Sequence, residues 1–263
     1  MDKKVLVLFL LAASSVCGII SLSFLKQPPV FTYIVVGLGQ SVIILISVTI
    51  GFYRARTFTM KSAIGRSLAL VSLGMLFWML GNLAWMYYNV AAQIEVPYPS
   101  MADVFYLGMI PFATAGLFLL LRNLKTRFDA GTVLKIAIIP VAVFLLTYWL
   151  FVQSKLSEDV PTLTKILNVA YPSGDIIFMS FALVILTLIG GGRLFRPFAI
   201  ICLGFILQAV ADLAFSWTIS AGTYYTGSPV DTIYVMAFFT VGLGMYYTSD
   251  AMKVEAKSRP RGT

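Results

Sequence analysis

The sequence predicts an all-α, polytopic integral membrane protein with eight transmembrane helices, and three observations carry that prediction. Eight apolar stretches run along the 263 residues, each near the about 20 residues that an α-helix needs to cross the hydrocarbon core. Of the 19 Lys and Arg residues, 16 fall on one side of those stretches, which orients the chain because basic residues stay cytoplasmic. Mean hydropathy is +0.91 and only 11% of residues are charged, too few to cover a soluble domain of this length with polar surface.

Taken in order, the first stretch, 5–25, follows Lys3 and Lys4. Ala13-Ser14-Ser15 imitates a signal-peptide cleavage site, but the apolar run continues to Leu25. That is too long for a signal core and long enough to span, so a retained helix is expected. The second stretch, 29–52, leads into a linker with Arg54, Arg56, Lys61 and Arg66. The third and fourth, 67–90 and 102–121, are followed by Arg122, Lys125 and Arg127, and Lys135 stands near the start of the fifth, 133–152. The sixth, 172–190, is separated from the seventh, 197–219, by Arg193 and Arg196. After the eighth, 229–248, come Lys253, Lys257, Arg259 and Arg261. Only Lys26, Lys155 and Lys165 remain for the outer side. The expectation is a multi-pass protein of the cell membrane with both termini cytoplasmic, one transmembrane domain over 1–248, and a short basic tail over 249–263. The linkers 53–66 and 153–165 are too short to fold as domains.

The sixth stretch has an irregular approach. Pro172 and Gly174 would break a helix running from Pro161 to Gly190, so a split is expected. Leu163, Ile166, Leu167 and Ala170 form an apolar stripe, which suits an amphipathic helix over 161–170 lying on the membrane surface as a lid or a connector.

Several classes are disfavoured. The net charge of +8 is explained by orientation and by anionic cytoplasmic lipid, so the lipid bilayer, and not nucleic acid, is the expected partner of the basic residues. Cys17 and Cys202 both fall within spans and do not read as an extracellular disulfide. There is no His, which argues against a His-ligated metal site and removes the commonest general base. No nucleophile-elbow, zincin, Cys-x-x-Cys or phosphate-loop pattern occurs, and the eighth stretch has no Lys for a retinal Schiff base. No cofactor or metal is expected.

The chain carries a candidate internal repeat. RSLALVSLGMLFWMLGNLA from Arg66 aligns without gaps on RPFAIICLGFILQAVADLA from Arg196, with identity at 6 of 19 positions. Asn82 falls on Asp212; beyond, PSMADVFYLG resembles SPVDTIYVMA, pairing Asp103 with Asp231 and Tyr106 with Tyr234. The third and fourth stretches would thus match the seventh and eighth in parallel orientation, an arrangement that in some transporters places the site between the halves.

Polar residues gather toward the outer side. Ser100-x-x-Asp103 and Ser228-x-x-Asp231 have the spacing of an N-cap and the third helical residue, with Pro229 suited to the first helical position. Pro172-Ser173-Gly174-Asp175 reads as a looser version of the same start, so Asp103, Asp175 and Asp231 are expected to open helices. Asp212 lies well inside the seventh stretch, where an ionisable group costs several kcal/mol unless paired or hydrated and is a functional candidate by default. Gln208 and Ser216 flank it on one helical face, and Trp78, Asn82 and Met86 form the equivalent stripe on the third stretch. Interhelical hydrogen bonding by Asn82, Gln208 and Asp212 is the competing structural explanation. Trp85, Tyr106, Tyr171, Tyr224 and Tyr234 are among the aromatics on this side, which suit an interfacial belt or a shallow aromatic pocket for a cationic or polyhydroxylated ligand.

PYPSMADVFYLG at 97–108, NVAYPSGDIIF at 168–178 and GFILQAVADLAFSWTISAGTYYTGSPVDTIYVMAF at 204–238 together resemble a known module. They look like the multi-helix membrane input domains that precede diguanylate cyclase, phosphodiesterase or histidine kinase domains in bacterial and archaeal signalling proteins. Those proteins continue into a soluble output domain, whereas this chain stops at Thr263. The resemblance therefore implies a stand-alone sensor that signals through a separate cytoplasmic or membrane partner. A second likeness, confined to the Gly204-to-Asp212 spacing and the Tyr that follows, is to the eight-helix lysoplasmalogenase-type membrane hydrolases.

The expected function is a membrane sensor or ligand-binding module for a small extracellular ligand or cation. Its site comprises Asp212, Asn82, Gln208, Asp103, Asp175, Asp231, Trp85, Tyr106 and Tyr234. A small proton- or cation-coupled transporter and a membrane hydrolase are the alternatives, and no catalytic residue is assigned.

Overall fold

The computed structural model describes residues 7, 10–12, 14–16, 18–19, 21, 28–124, 130–156, 159–189 and 195–258. Among them the structure is helical throughout, without strands. Seven helices are long and apolar enough to cross a membrane, and they coincide with the second to eighth apolar stretches. They are α1 (Pro29–Thr57), α2 (Ala63–Met86), α3 (Met101–Arg122), α4 (Ala130–Thr147), α5 (Thr162–Leu188), α6 (Phe195–Ser220) and α7 (Pro229–Ser258). Much of the first stretch, with Lys3, Lys4 and Cys17, lies outside the described residues, as do Lys125, Arg127, Gly190-Gly191-Gly192 and Arg193. The described residues of that stretch are helical, and Ala12 and Ile19 are buried in the common core.

Local chemistry sets the boundaries. Ser62 caps α2 by accepting from the Gly65 N–H at 2.9 Å, and a π-helical turn at Tyr87–Ala92 extends that span before Gln93 ends it in the left-handed region, φ 53°. Ser100 and Asp103 form the capping box that their spacing predicts at the start of α3. Pro29 and Pro229 occupy first-turn positions, where a missing N–H leaves no bond unmade.

The expected break before the sixth stretch is not present. α5 runs without interruption from Thr162 to Leu188, with Pro172 inside it. The separate surface helix over 161–170 is therefore replaced by the first turns of a long helix. Asp175 opens no helix; it lies about 20 Å along this one at 1.5 Å per residue. Prolines inside membrane helices are tolerated because neighbouring groups re-satisfy the backbone, and α3 and α4 carry Pro111 and Pro140 in the same way.

α2 packs most extensively on α3, and α6 on α7; α1 joins the two pairs by contacting both α2 and α7. α5 touches α3, α4 and α6. In α4 only 11% of the apolar window is buried, against 56% in α2 and α7. It therefore lies at the edge, with Val133, Leu134, Ile138 and Val141 exposed, as a lipid-facing helix requires.

Glycines bring the paired helices into backbone contact. A Cβ at Gly74 would lie 3.1 Å from the Met109 carbonyl oxygen and 3.1 Å from the Ala113 nitrogen; one at Gly204 would lie 2.9 Å from the Ala237 oxygen and 2.8 Å from the Val241 nitrogen. Reciprocally, a Cβ at Gly116 would meet the Ser67 oxygen at 3.0 Å and the Val71 nitrogen at 3.0 Å, and one at Gly244 the Pro197 oxygen at 2.8 Å and the Ile201 nitrogen at 2.7 Å. Small residues at such crossings let dispersion forces act between backbones in a solvent that supplies no hydrophobic drive.

Candidate functional site

The four helix-borne aspartates converge at one end of the bundle, where α3 and α7 begin. Asp103, Asp175 and Asp231 are buried, at 7%, 5% and 4% exposure, and Asp212 is partly buried. Tyr106, on the first turns of α3, lies near Asp103, Asp212 and Asp231. Below, the Trp78 ring packs against both Tyr106, at 5.0 Å between centroids, and Tyr234, at 5.3 Å. Phe238 closes the apolar floor at 4.7 Å from Trp78.

Three of the four carboxylates, those of Asp103, Asp212 and Asp231, are held by donors from more than one place. Asp103 accepts from the Ser100 N–H at 2.7 Å and hydroxyl at 3.0 Å, and from the Tyr171 hydroxyl of α5 at 2.7 Å. Asp231 accepts from the Gly227 N–H at 2.8 Å, from Tyr224 at 3.2 Å, and more distantly from Gln40 of α1 at 3.5 Å. Burial first, and the charge of Asp231 second, push the Tyr224 pKa upward, which keeps this loop phenol protonated and donating. Ser228 does not complete a capping box: its hydroxyl is buried without a hydrogen-bond partner.

Asp212 lies about 12 Å before the end of α6. It accepts from the Tyr234 hydroxyl of α7 at 2.7 Å and from the Gln208 amide, one turn back, at 3.0 Å. Its carboxyl is also in hydrogen-bonding contact with that of Asp175 on α5. Two ionised carboxylates offer only acceptors to each other, so this contact needs a proton on one of them or a cation between them. The Gln208 Oε1, on a side chain 2% exposed, is buried without a donor. Among the described residues, no Lys or Arg pairs with any of the four aspartates.

Of the residues singled out in the sequence, the structure brings Asp103, Asp175, Asp212, Asp231, Gln208, Tyr106 and Tyr234 together. Asn82 and Trp85 serve another contact. The Asn82 amide donates to the Gly37 carbonyl at 2.8 Å and the Ser41 hydroxyl at 2.9 Å, tying α2 to α1. Trp85 packs edge-on against Tyr33 of α1 at 5.5 Å. Three partners carried no sequence signal of their role: Gln40, and Tyr171 and Tyr224 as donors to specific carboxylates. A Tyr within reach of an Asp on another helix leaves no periodic trace.

The assembled group is rich in hard oxygen acceptors and in phenol donors, and it has no nucleophile–base pair. Among the described residues no three His, Cys, Asp or Glu side chains come together as a metal-binding group. The chain matches no family model, no curated protein and no solved structure.

Proposed function

We propose that this protein is a membrane sensor or ligand-binding module whose ligand carries positive charge and engages the aspartate cluster around Tyr106. One observation carries the reading: four carboxylates are gathered inside the bundle with no cationic side chain of the described structure to compensate them. Charge within a membrane domain is costly and faces the bundle interior when it serves a function. The orientation implied by the basic residues turns this end of the bundle outward. The ligand then arrives from outside, and the basic cytoplasmic loops meet the signalling partner.

The proposed parallel repeat supports the same picture. The aligned glycines Gly74 and Gly204 make matching backbone contacts, and so do Gly116 and Gly244. The aligned Tyr106 and Tyr234 both pack on Trp78, so the cluster lies at the junction of two like halves. Cation-coupled transport is the second reading. It is favoured by the position of Asp175 deep in α5, beside Pro172, where the sequence had suggested a helix opening at the rim.

A thermal-shift screen of the purified protein across cations and small polar metabolites, with Asp212→Asn in parallel, tests the proposal. A ligand that stabilises wild type and leaves the mutant unmoved supports it; a flat response in both reduces the cluster to structural glue. Ligand-dependent flux in proteoliposomes separates the transporter from the sensor.

A further inference from the structure

We infer that the Tyr224 side chain is the outer gate of the aspartate group, closed in this structure over Asp231. The inference rests on the function proposed above and names the way into its site. Residues 221–228 join α6 to α7, and Ala221, Gly222, Thr223 and Tyr225 on this loop are exposed. Asp231, just beyond it, is 4% exposed. The half-buried Tyr224 connects the two levels. Its ring packs edge-to-face with Phe215 at 4.7 Å between centroids, and its hydroxyl reaches both Asp231 oxygens, at 3.2 and 3.5 Å.

Distances single out this phenol as the one that moves. Tyr171 and Tyr234 project from helices and hold Asp103 and Asp212 at 2.7 Å, the usual O–H···O separation. Tyr224 projects from a loop, and both of its contacts are longer than the limit of about 3.0 Å for such bonds. The loop backbone is anchored: the Tyr224 N–H donates to the Thr218 carbonyl at 3.1 Å, and the Ser228 N–H to the Tyr225 carbonyl at 3.0 Å. Opening is therefore the rotation of one side chain and needs no shift of α6 or α7. Asp231 keeps the Gly227 N–H at 2.8 Å when the phenol swings out, so the open carboxylate retains a donor. A cationic group arriving from outside takes the acceptor positions that the phenol vacates.

The test is carboxyl footprinting of the full chain in detergent with a water-soluble cationic carbodiimide and glycinamide. A carboxyl that the reagent reaches becomes an amide, the carbodiimide leaving as its urea, and peptide mass spectrometry reads the rate at each aspartate. In wild type, Asp231 should react faster than Asp212, which two helix-borne donors hold. Tyr224→Phe keeps the ring and loses both contacts to Asp231, so it should raise the Asp231 rate about fivefold and leave Asp103 and Asp212 unchanged. Tyr225→Phe, on the 51% exposed neighbour, should change nothing. Rates are taken at about pH 5 and about pH 7, because losing a donor also favours the protonated, reactive carboxyl; better access raises the rate at both. An Asp231 rate below that of Asp212 in wild type overturns the inference, as does a Tyr224→Phe effect that is absent, matched by Tyr225→Phe, confined to the higher pH or spread over all the aspartates. No ligand enters this experiment, so its failure removes the gate alone, whereas a flat stabilisation screen removes the function proposed above.

Discussion

Removing one oxygen atom at Tyr234 measures how firmly Asp212 is held. Tyr234→Phe leaves a ring that is 7% exposed and packed on Trp78 at 5.3 Å, so no cavity forms. What is lost is the 2.7 Å hydrogen bond to the Asp212 carboxyl. A hydrogen bond to a charged group contributes about 1.5–3 kcal/mol in soluble proteins, but the strongest measured across membrane helices reach only about 1.7 kcal/mol, because the unfolded chain in the membrane finds other partners. The expected loss is therefore about 1.5 kcal/mol, read as reversible unfolding in mixed micelles. Because that loss runs through Asp212, Tyr234→Phe and Asp212→Asn should be non-additive by about 1 kcal/mol. Tyr225, 51% exposed, is the control: its loss of a hydroxyl should change stability by less than about 0.5 kcal/mol. Additivity within about 0.3–0.5 kcal/mol, or a Tyr234→Phe protein as stable as wild type, refutes the reasoning.

Other substitutions separate the scaffold from the site. Gly204→Ala places a methyl against the α7 backbone and should cost about 1–3 kcal/mol; Gly74→Ala should cost a comparable amount if the two helix pairs are equivalent. Asp103→Asn should lower stability by about 1 kcal/mol through its cap and weaken the ligand response without abolishing it, whereas Asp212→Asn should abolish it. Asn82→Leu should loosen α1 from α2 by about 1 kcal/mol, with no change in ligand response, as a thermal-shift comparison would show.

Much of the fold was readable because hydropathy and helix length are properties of contiguous sequence. The fourth stretch, expected at 102–121, is Met101–Arg122 in the structure, and the Ser100–Asp103 capping box formed where its spacing placed it. Pro172 was misread because the rule that proline breaks helices assumes water as the solvent. In a bundle, α5 continues through it, and Asp175 moves from a presumed helix start to a position facing Asp212. Membership of the aspartate group was legible for Asp212, through its intrinsic cost inside a span, and for Gln208, one turn away on the same helix. It was not legible for Tyr171, Tyr224 and Gln40, whose roles depend on which helices become neighbours. The alignment that put Asn82 on Asp212 matched their positions but not their partners, since Asn82 faces α1 and Asp212 faces α5 and α7.

The claim that the cluster responds to a ligand, and does not merely hold helices together, is tested most directly by a distance across α5 and α6. Spin labels at Thr187→Cys and Arg196→Cys, both exposed, would report the separation of these helices at the end away from the cluster in a Cys17→Ser protein; Cys202, fully buried, should remain unlabelled. The account predicts that at least one cation or metabolite of the stabilisation screen shifts the distance distribution in wild type and leaves it fixed in Asp212→Asn. A distribution unchanged by every compound, in a wild-type protein as well folded as the mutant, would contradict it.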